Sequence, residues 1–350
     1  MSGSLRVGID GKALLPPRAG VSRYLAELLR AWSDLEHPGV DLAVLSPSRQ
    51  GRTVPWVLWT LQRATAQGFD VFHFPFYYPP LRPRCPATVA IHDVLVLEHP
   101  EWFPRAPINT LRLLIPIGAR RAAAIVTGSL SVADAIAERC RVPRDRIHLT
   151  GYGVDRMRFA PPPPETIALT RARLGLERPY LLQLGAMEPR RGTDLALAAC
   201  AELRAVHPDL ELVIVGEARA DIQALRHPKP WLRVLGRLED DVLPSMYAGA
   251  TAVVAPSRGE GFDLPVLEAL ACGAPVVASD IPVHREHFAP AVTLFESGSL
   301  EAFLTALARV IDDSEAAERL RRAGPVLAAG FSWRDVAQRH LELWRVVGAR

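Results

Sequence analysis

Glu260-Gly261-Phe262-Asp263-Leu264-Pro265-Val266-Leu267-Glu268 follows the apolar, strand-like run Thr251–Ala255 and opens the apolar run Leu264–Cys272. That order places a glycine-containing loop and a helix N-terminus at the end of a buried strand. Free backbone N–H groups and the positive end of a helix dipole suit a phosphate there. Glu260 lies in the loop, and Glu268 lies about one turn inside a helix whose other residues are nearly all apolar. A carboxylate in apolar surroundings is costly unless something hydrogen-bonds it. Sugar or ribose hydroxyls are suitable partners. The plainer reading of the same pair is a solvated loop acid and an acid on a helix's wet edge.

Outward from this run, short apolar segments alternate with longer helical patterns, which argues for βαβ units and parallel sheets. Strands are expected at Leu5–Ile9, Asp41–Leu45, Val71–His73, Thr88–Ile91, Ala124–Val126 and Ile147–Leu149. Helices are expected between them at Gly20–Leu35, Val54–Ala66, Ile108–Ala122 and Ser131–Arg139. Pro161–Pro164 then read as a stiff, extended linker. The pattern restarts with strands at Tyr180–Leu184, Leu210–Val215, Leu232–Leu235, Thr251–Ala255 and Pro275–Ala278. Its helices are expected at Thr193–Val206, Asp221–His227, Asp240–Tyr247, Leu264–Cys272, Leu300–Asp312, Ser314–Ala329 and Trp333–Val347. The fold class is therefore α/β, with two Rossmann-like halves and ligands expected outside the carboxyl ends of the strands. The divisions expected are 1–160, a linker at 161–178, 179–330, and a terminal helix over 331–350.

The chain has 350 residues, long for a single core. A formal charge of +3 gives no electrostatic argument for nucleic acid, and Lys12 and Lys229 are the only lysines. Cys85, Cys140, Cys200 and Cys272 are far apart and form no metal-ligand pair, so buried free thiols in a reducing compartment are the simplest reading. No signal pattern precedes Leu5–Ile9 and no long uncharged apolar stretch occurs, which leads us to expect a cytoplasmic chain. Leu111–Arg121 is basic and apolar; it is a candidate for peripheral membrane contact, and an ordinary buried helix explains it equally.

Three further clusters carry chemistry. Gly185-Ala186-Met187-Glu188-Pro189-Arg190-Arg191-Gly192 joins a strand to a helix. Two guanidinium groups at a helix start oppose its dipole unless an anion binds there, and arginine forks grip diphosphate oxygens bidentately. His92-Asp93 follows the strand ending at Ile91; the pair either faces a ligand or satisfies its own loop. Gly8-Ile9-Asp10 and Arg18-Ala19-Gly20-Val21-Ser22-Arg23-Tyr24 place a glycine where backbone must approach closely, at Gly20. There is no G-x-G-x-x-G after the first strand, which disfavours a dinucleotide dehydrogenase.

The Glu260–Glu268 run resembles the E-x7-E motif of retaining GT-B glycosyltransferases of family four (glycosyl transferases group 1). Glu188–Arg191 resembles that family's E-P-R-K-N segment, with Arg191 where lysine is usual, and His92-Asp93 its acceptor-domain pair. Thr127–Ser129, Gly151–Asp155, Pro256-Ser257, Gly273–Ala278 and Phe331–Trp333 repeat its order along almost the whole chain. Ser22 and Asp263 stand where the family often has glycine; we expect the Asp263 side chain to cap the following helix.

The resemblance implies a GT-B fold, with two Rossmann-like domains facing a central cleft and the terminal helix crossing back to the first. It implies sugar transfer from a nucleotide diphosphate sugar to an acceptor hydroxyl, with retention and without metal or cofactor. Glu260, His92, Arg190 and Arg191 would form the catalytic set. Glu268, Gly261, Phe262, Asp263, Leu264, Gly185, Gly20 and Ser257 would hold the donor. A hexose is implied, with GDP-mannose favoured among donors, and a glycan, lipid-linked or small-molecule acceptor. A GT-B sugar-nucleotide epimerase, or a donor-binding partner without turnover, would share these residues.

Overall fold

A computed structural model describes residues 4–15, 20–36, 39–47, 55–103, 105–185, 187–217 and 229–349. The chain divides into two compact units: Met1–Gly153 with Ser332–Arg350, and Val154–Phe331.

The first unit is built on strands β1 (Leu5–Asp10), β2 (Val40–Leu45), β3 (Val71–Phe74), β4 (Ala87–Ala90), β5 (Ala124–Thr127) and β6 (Ile147–Leu149). They form one parallel six-stranded sheet in the order β2-β1-β3-β4-β5-β6. The central strands β3, β4 and β5 are buried at every residue, as expected of a parallel sheet covered on both faces. The C-terminal helix Trp333–Gly348 belongs to this unit and is capped by Ser332, whose side chain accepts from the Asp335 amide. It buries Trp333, Leu341, Trp344 and Val347. Trp344 lies 5.4 Å from the Trp32 ring and donates from Nε1 to Thr88 Oγ1 at 3.3 Å.

The second unit contains β7 (Tyr180–Leu184), β8 (Glu211–Val215), β9 (Leu232–Val234), β10 (Ala252–Ala255), β11 (Val276–Ser279) and β12 (Thr293–Phe295). This parallel sheet has the order β12-β11-β10-β7-β8-β9. The chain runs outward from β7 to β9 and then returns to place β10 on the other side of β7. The strand order therefore reverses between β7 and β10, where open α/β sheets bind ligands. Phe303, Leu307 and Val310 of helix Leu300–Asp312 pack on Leu181, Leu212, Val254 and Phe295 of the sheet.

Several expectations need correction. The expected linker 161–178 holds helix Pro164–Leu174, which ends on Gly175 at φ +65°. Proline lacks only an N–H that the first helical position leaves unpaired, so Pro164 opens this helix rather than preventing it. The expected Val54–Ala66 helix is present as a π-helix, Trp56–Leu61, that continues into the α-helical Gln62–Ala64, with Val54 outside the described residues. β12, three residues long, and helix Pro282–His287, six residues long, were not expected. The expected Asp221–His227 helix, and Arg18 and Ala19, lie outside the described residues.

Candidate active site

β7 and β10 each feed a loop to the point of reversal. The first continues through the turn Pro189–Arg191 to Gly192, at φ +63°. A Cβ on Gly192 would sit 2.0 Å from the Pro256 carbonyl oxygen, so only glycine lets the two loops approach this closely. The Arg258 amide then donates to the Arg190 carbonyl at 2.7 Å and ties the loops together.

This contact gathers six charged residues. Glu260 accepts from Arg190 Nη1 at 2.6 Å and from Ser257 Oγ at 2.8 Å, and its Oε1 forms an ion pair with Arg191 Nη1 at 2.8 Å. Arg190 Nε also donates to Glu188 Oε2 at 3.0 Å. Arg191 Nη1 reaches Asp263 Oδ1 at 3.1 Å, and Asp263 Oδ2 lies 3.1 Å from His284 Nε2. The guanidinium of Arg191 lies over Gly185, whose φ is +118° and whose added Cβ would fall 3.4 Å from Arg191 Cζ. The Nε and Nη2 edge of Arg191 carries no partner among the described residues. A fork of that shape matches two oxygens of a phosphate group.

Asp263 occupies the N-cap position of helix Leu264–Ala271 but makes no side-chain cap. This corrects the capping expectation. Its backbone is left-handed, at φ +77°, and the Arg191 guanidinium and the His284 ring take its oxygens in place of the amides. Burial alone would raise the Asp263 carboxyl, but the Arg191 charge and the His284 ring override it and hold it at about 2. Pro265 carries no N–H, and the Val266 and Leu267 amides donate to the Asp263 carbonyl at 3.0 and 3.4 Å, so of the first helical turn the Leu264 amide is the one left to a ligand among the described residues.

The other expected donor residues divide by role. Glu268 is buried, and one oxygen accepts from Tyr247 Oη at 2.9 Å, so a protein hydroxyl already supplies part of the hydrogen bonding it needs. The Phe262 ring packs on His287, Phe288 and Phe331 at centroid distances of 4.8, 5.5 and 5.8 Å. It anchors the loop from within. Gly261 is buried beside it and Leu264 begins the helix, half-buried. Ser257 acts through Glu260.

In the first unit, Gly20 is exposed at the start of helix Gly20–Ser33, and a Cβ there meets nothing within 4 Å. His92 Nε2 donates to the Pro75 carbonyl at 2.9 Å and its Nδ1 accepts from Tyr152 Oη at 2.6 Å. Burial lowers the His92 pKa, so the ring is neutral. Asp93 serves its own loop: Oδ1 accepts from the Leu95 amide at 3.1 Å and Oδ2 from Tyr77 Oη at 3.4 Å.

Sequence reading missed His284, Gln183 and Tyr247. Gln183 was legible as the one polar residue in the strand Tyr180–Leu184, where it donates to the Arg191 carbonyl at 2.9 Å. His284 gave no signal, since it lies in a helix too short to show a period. Among the described residues no group of His, Cys, Asp or Glu is placed to hold a metal ion, and no helix is long and apolar enough to cross a membrane.

Two sequence families match. Residues 169–326 match Glycosyl transferases group 1, and residues 18–158 match Glycosyltransferase Family 4. The chain belongs to the family-four glycosyltransferases. Its chemistry is thus retaining transfer of a sugar from a nucleotide sugar. Similar curated proteins include the Escherichia coli O-antigen chain mannosyltransferase B, 26% identical over 79% of this chain and 74% of that protein. The Streptomyces kanamyceticus alpha-D-kanosaminyltransferase is 28% identical over 78% of this chain and 74% of its own. Among solved structures, Anabaena HepE in complex with UDP and glucose covers 98% of this chain and 100% of its own at TM-score 0.77 and 17% identity. Sucrose-phosphate synthase from Thermosynechococcus elongatus covers 98% and 99%, at TM-score 0.76 and 18% identity. These neighbours give the GT-B fold.

Proposed function

We propose that this glycosyltransferase moves a hexose, mannose from GDP-mannose, to a hydroxyl of a glycan, lipid-linked or small-molecule acceptor. One observation carries the donor assignment: two guanidinium groups and a helix N-terminus converge where the strand order reverses. Arg190, Arg191 and the Leu264 amide hold the diphosphate and stabilise the charge that builds on it as the glycosidic bond breaks. Preorganised electrostatics of this kind is usually the largest catalytic contribution. Glu260 is tied to two arginines and a serine, which makes it a poor nucleophile and a good fixed acceptor for sugar hydroxyls. The departing phosphate therefore takes the acceptor's proton on the face where the new bond forms, and the configuration is retained.

Glu268, fixed by Tyr247, accepts from the ribose. His92 would serve a substrate hydroxyl only by giving up its bond to Tyr152 or to the Pro75 carbonyl. Mannose is favoured by the resemblance of Glu188–Arg191 to the E-P-R-K-N segment and by the mannosyltransferase relative.

Thermal-shift measurements with GDP, UDP and dTDP test the donor. A nucleotide at 100 times its Kd stabilises by about 2.7 kcal/mol, which raises Tm by about 5–10 °C at this domain size. GDP gives the largest shift; a larger shift with UDP or dTDP contradicts the assignment. Nucleotide release on incubation with donor and acceptor separates a transferase from a donor-binding partner, which releases none.

A further inference from the structure

His284, on the short helix after β11, is fully buried, and each ring nitrogen faces an acceptor. Nδ1 lies 2.8 Å from the Ser279 carbonyl and Nε2 lies 3.1 Å from Asp263 Oδ2. A carbonyl can only accept, so one ring proton is committed to Ser279. Nε2 then meets a carboxylate oxygen, and the contact is attractive only with a proton between them. Asp263 is held ionised by Arg191 on its other oxygen, so that proton sits on the ring. Every element packed around His284 contributes: Asp263 from the helix start, Glu260 from the loop, and the Ser279 carbonyl from the end of β11. On its own helix His287 is held low by burial and by the charge of His284, and the Phe288 ring packs at 6.1 Å. Burial works against a charged ring, but Asp263, the Ser279 carbonyl and Glu260 override it and raise its pKa.

The consequence is a charge balance. Arg190, Arg191 and His284 face Glu188, Glu260 and Asp263 in one connected set. With His284 protonated the set is neutral. With His284 neutral it is net negative, beside the open edge of Arg191 that a diphosphate would use. We propose that His284 is a positioning residue for the donor diphosphate: as an imidazolium it neutralises Asp263, so the charge of Arg191 serves the ligand. The proposal rests on the donor reading above and adds to it a residue that controls affinity through charge.

Isothermal titration of a nucleoside diphosphate from pH 6.5 to 9.5, on wild type and three variants, tests it. Wild-type affinity falls at least tenfold toward alkaline pH. His284→Gln, which leaves Asp263 unneutralised, binds about tenfold more weakly at pH 7 and shows no such fall. Asp263→Asn removes the acid and the need for the ring proton together, so its profile is flat across the range. The double variant recovers the affinity that His284→Gln alone loses. Should the histidine variant fail to fold, Asp263→Asn and the ¹⁵N resonances of wild-type His284 carry the test, since both ring nitrogens must be protonated at pH 7.5. A neutral His284 at that pH, or a His284→Gln profile like wild type, overturns the proposal alone. A wild type that binds no nucleoside diphosphate at any pH overturns the donor reading and this proposal with it.

Discussion

Replacing Glu260 with glutamine keeps its shape and removes its charge. In the wild type the side chain is 4% exposed, accepts from Arg190 and Ser257 and forms an ion pair with Arg191. A hydrogen bond to a charged group is worth about 1.5–3 kcal/mol, and breaking a buried ion pair from one side costs about 3–5 kcal/mol. The amide retains one acceptor oxygen but turns an N–H₂ group toward an arginine that can only donate. About half of the larger cost remains, so we expect about 2–3 kcal/mol of destabilisation. For a domain of this size that lowers Tm by about 5–10 °C, read by calorimetry at pH 7.5. Because the same carboxylate fixes both arginines, kcat/KM for sugar transfer should fall about 10²-fold. A Tm within 1 °C of wild type, together with transfer within threefold, would falsify the claim that Glu260 organises the site.

Gly192→Ala should be among the most damaging small substitutions, because its Cβ would meet the Pro256 carbonyl at 2.0 Å on a backbone at φ +63°; loss of more than about 3 kcal/mol in denaturant melts is expected, and a neutral outcome would show that the loops do not touch. Asp263→Gly relieves about 1–2 kcal/mol of left-handed strain but strips Arg191 and His284 of their shared partner, so we expect lower stability and, by NMR, a neutral His284 at pH 7.5. The raised His284 pKa has a definite sign: its stabilisation is complete below the ordinary value of 6.5 and is lost as pH rises through the folded value. Thermal melts should therefore decline from pH 7 to 9 in wild type and decline less in Asp263→Asn. Truncation after Phe331 removes Trp333, Leu341, Trp344 and Val347 from the first unit, and loss of its cooperative melting transition is the expected result.

The strands were legible because parallel sheets covered on both faces require apolar runs; β10 is one without a break, and β7 is interrupted only by Gln183. β12, Thr293–Phe295, was not. The charged cluster was half readable. Arg190, Arg191, Glu260 and Asp263 all stood out at strand-to-helix junctions, but spacing along a chain says nothing about which charges meet. Capping preference predicted a local partner for Asp263, whereas the fold supplied charged ones from other loops. Pro164 illustrates the converse: four prolines forbid a helix interior and leave the first helical position open.

Isothermal titration of a nucleoside diphosphate and its monophosphate against wild type and Arg191→Ala tests most directly whether the second unit grips the terminal phosphate of its donor. The wild type should bind the diphosphate at least tenfold more tightly than the monophosphate, and Arg191→Ala should abolish that difference while leaving monophosphate affinity within threefold. Equal preference for the diphosphate in both proteins would contradict the account.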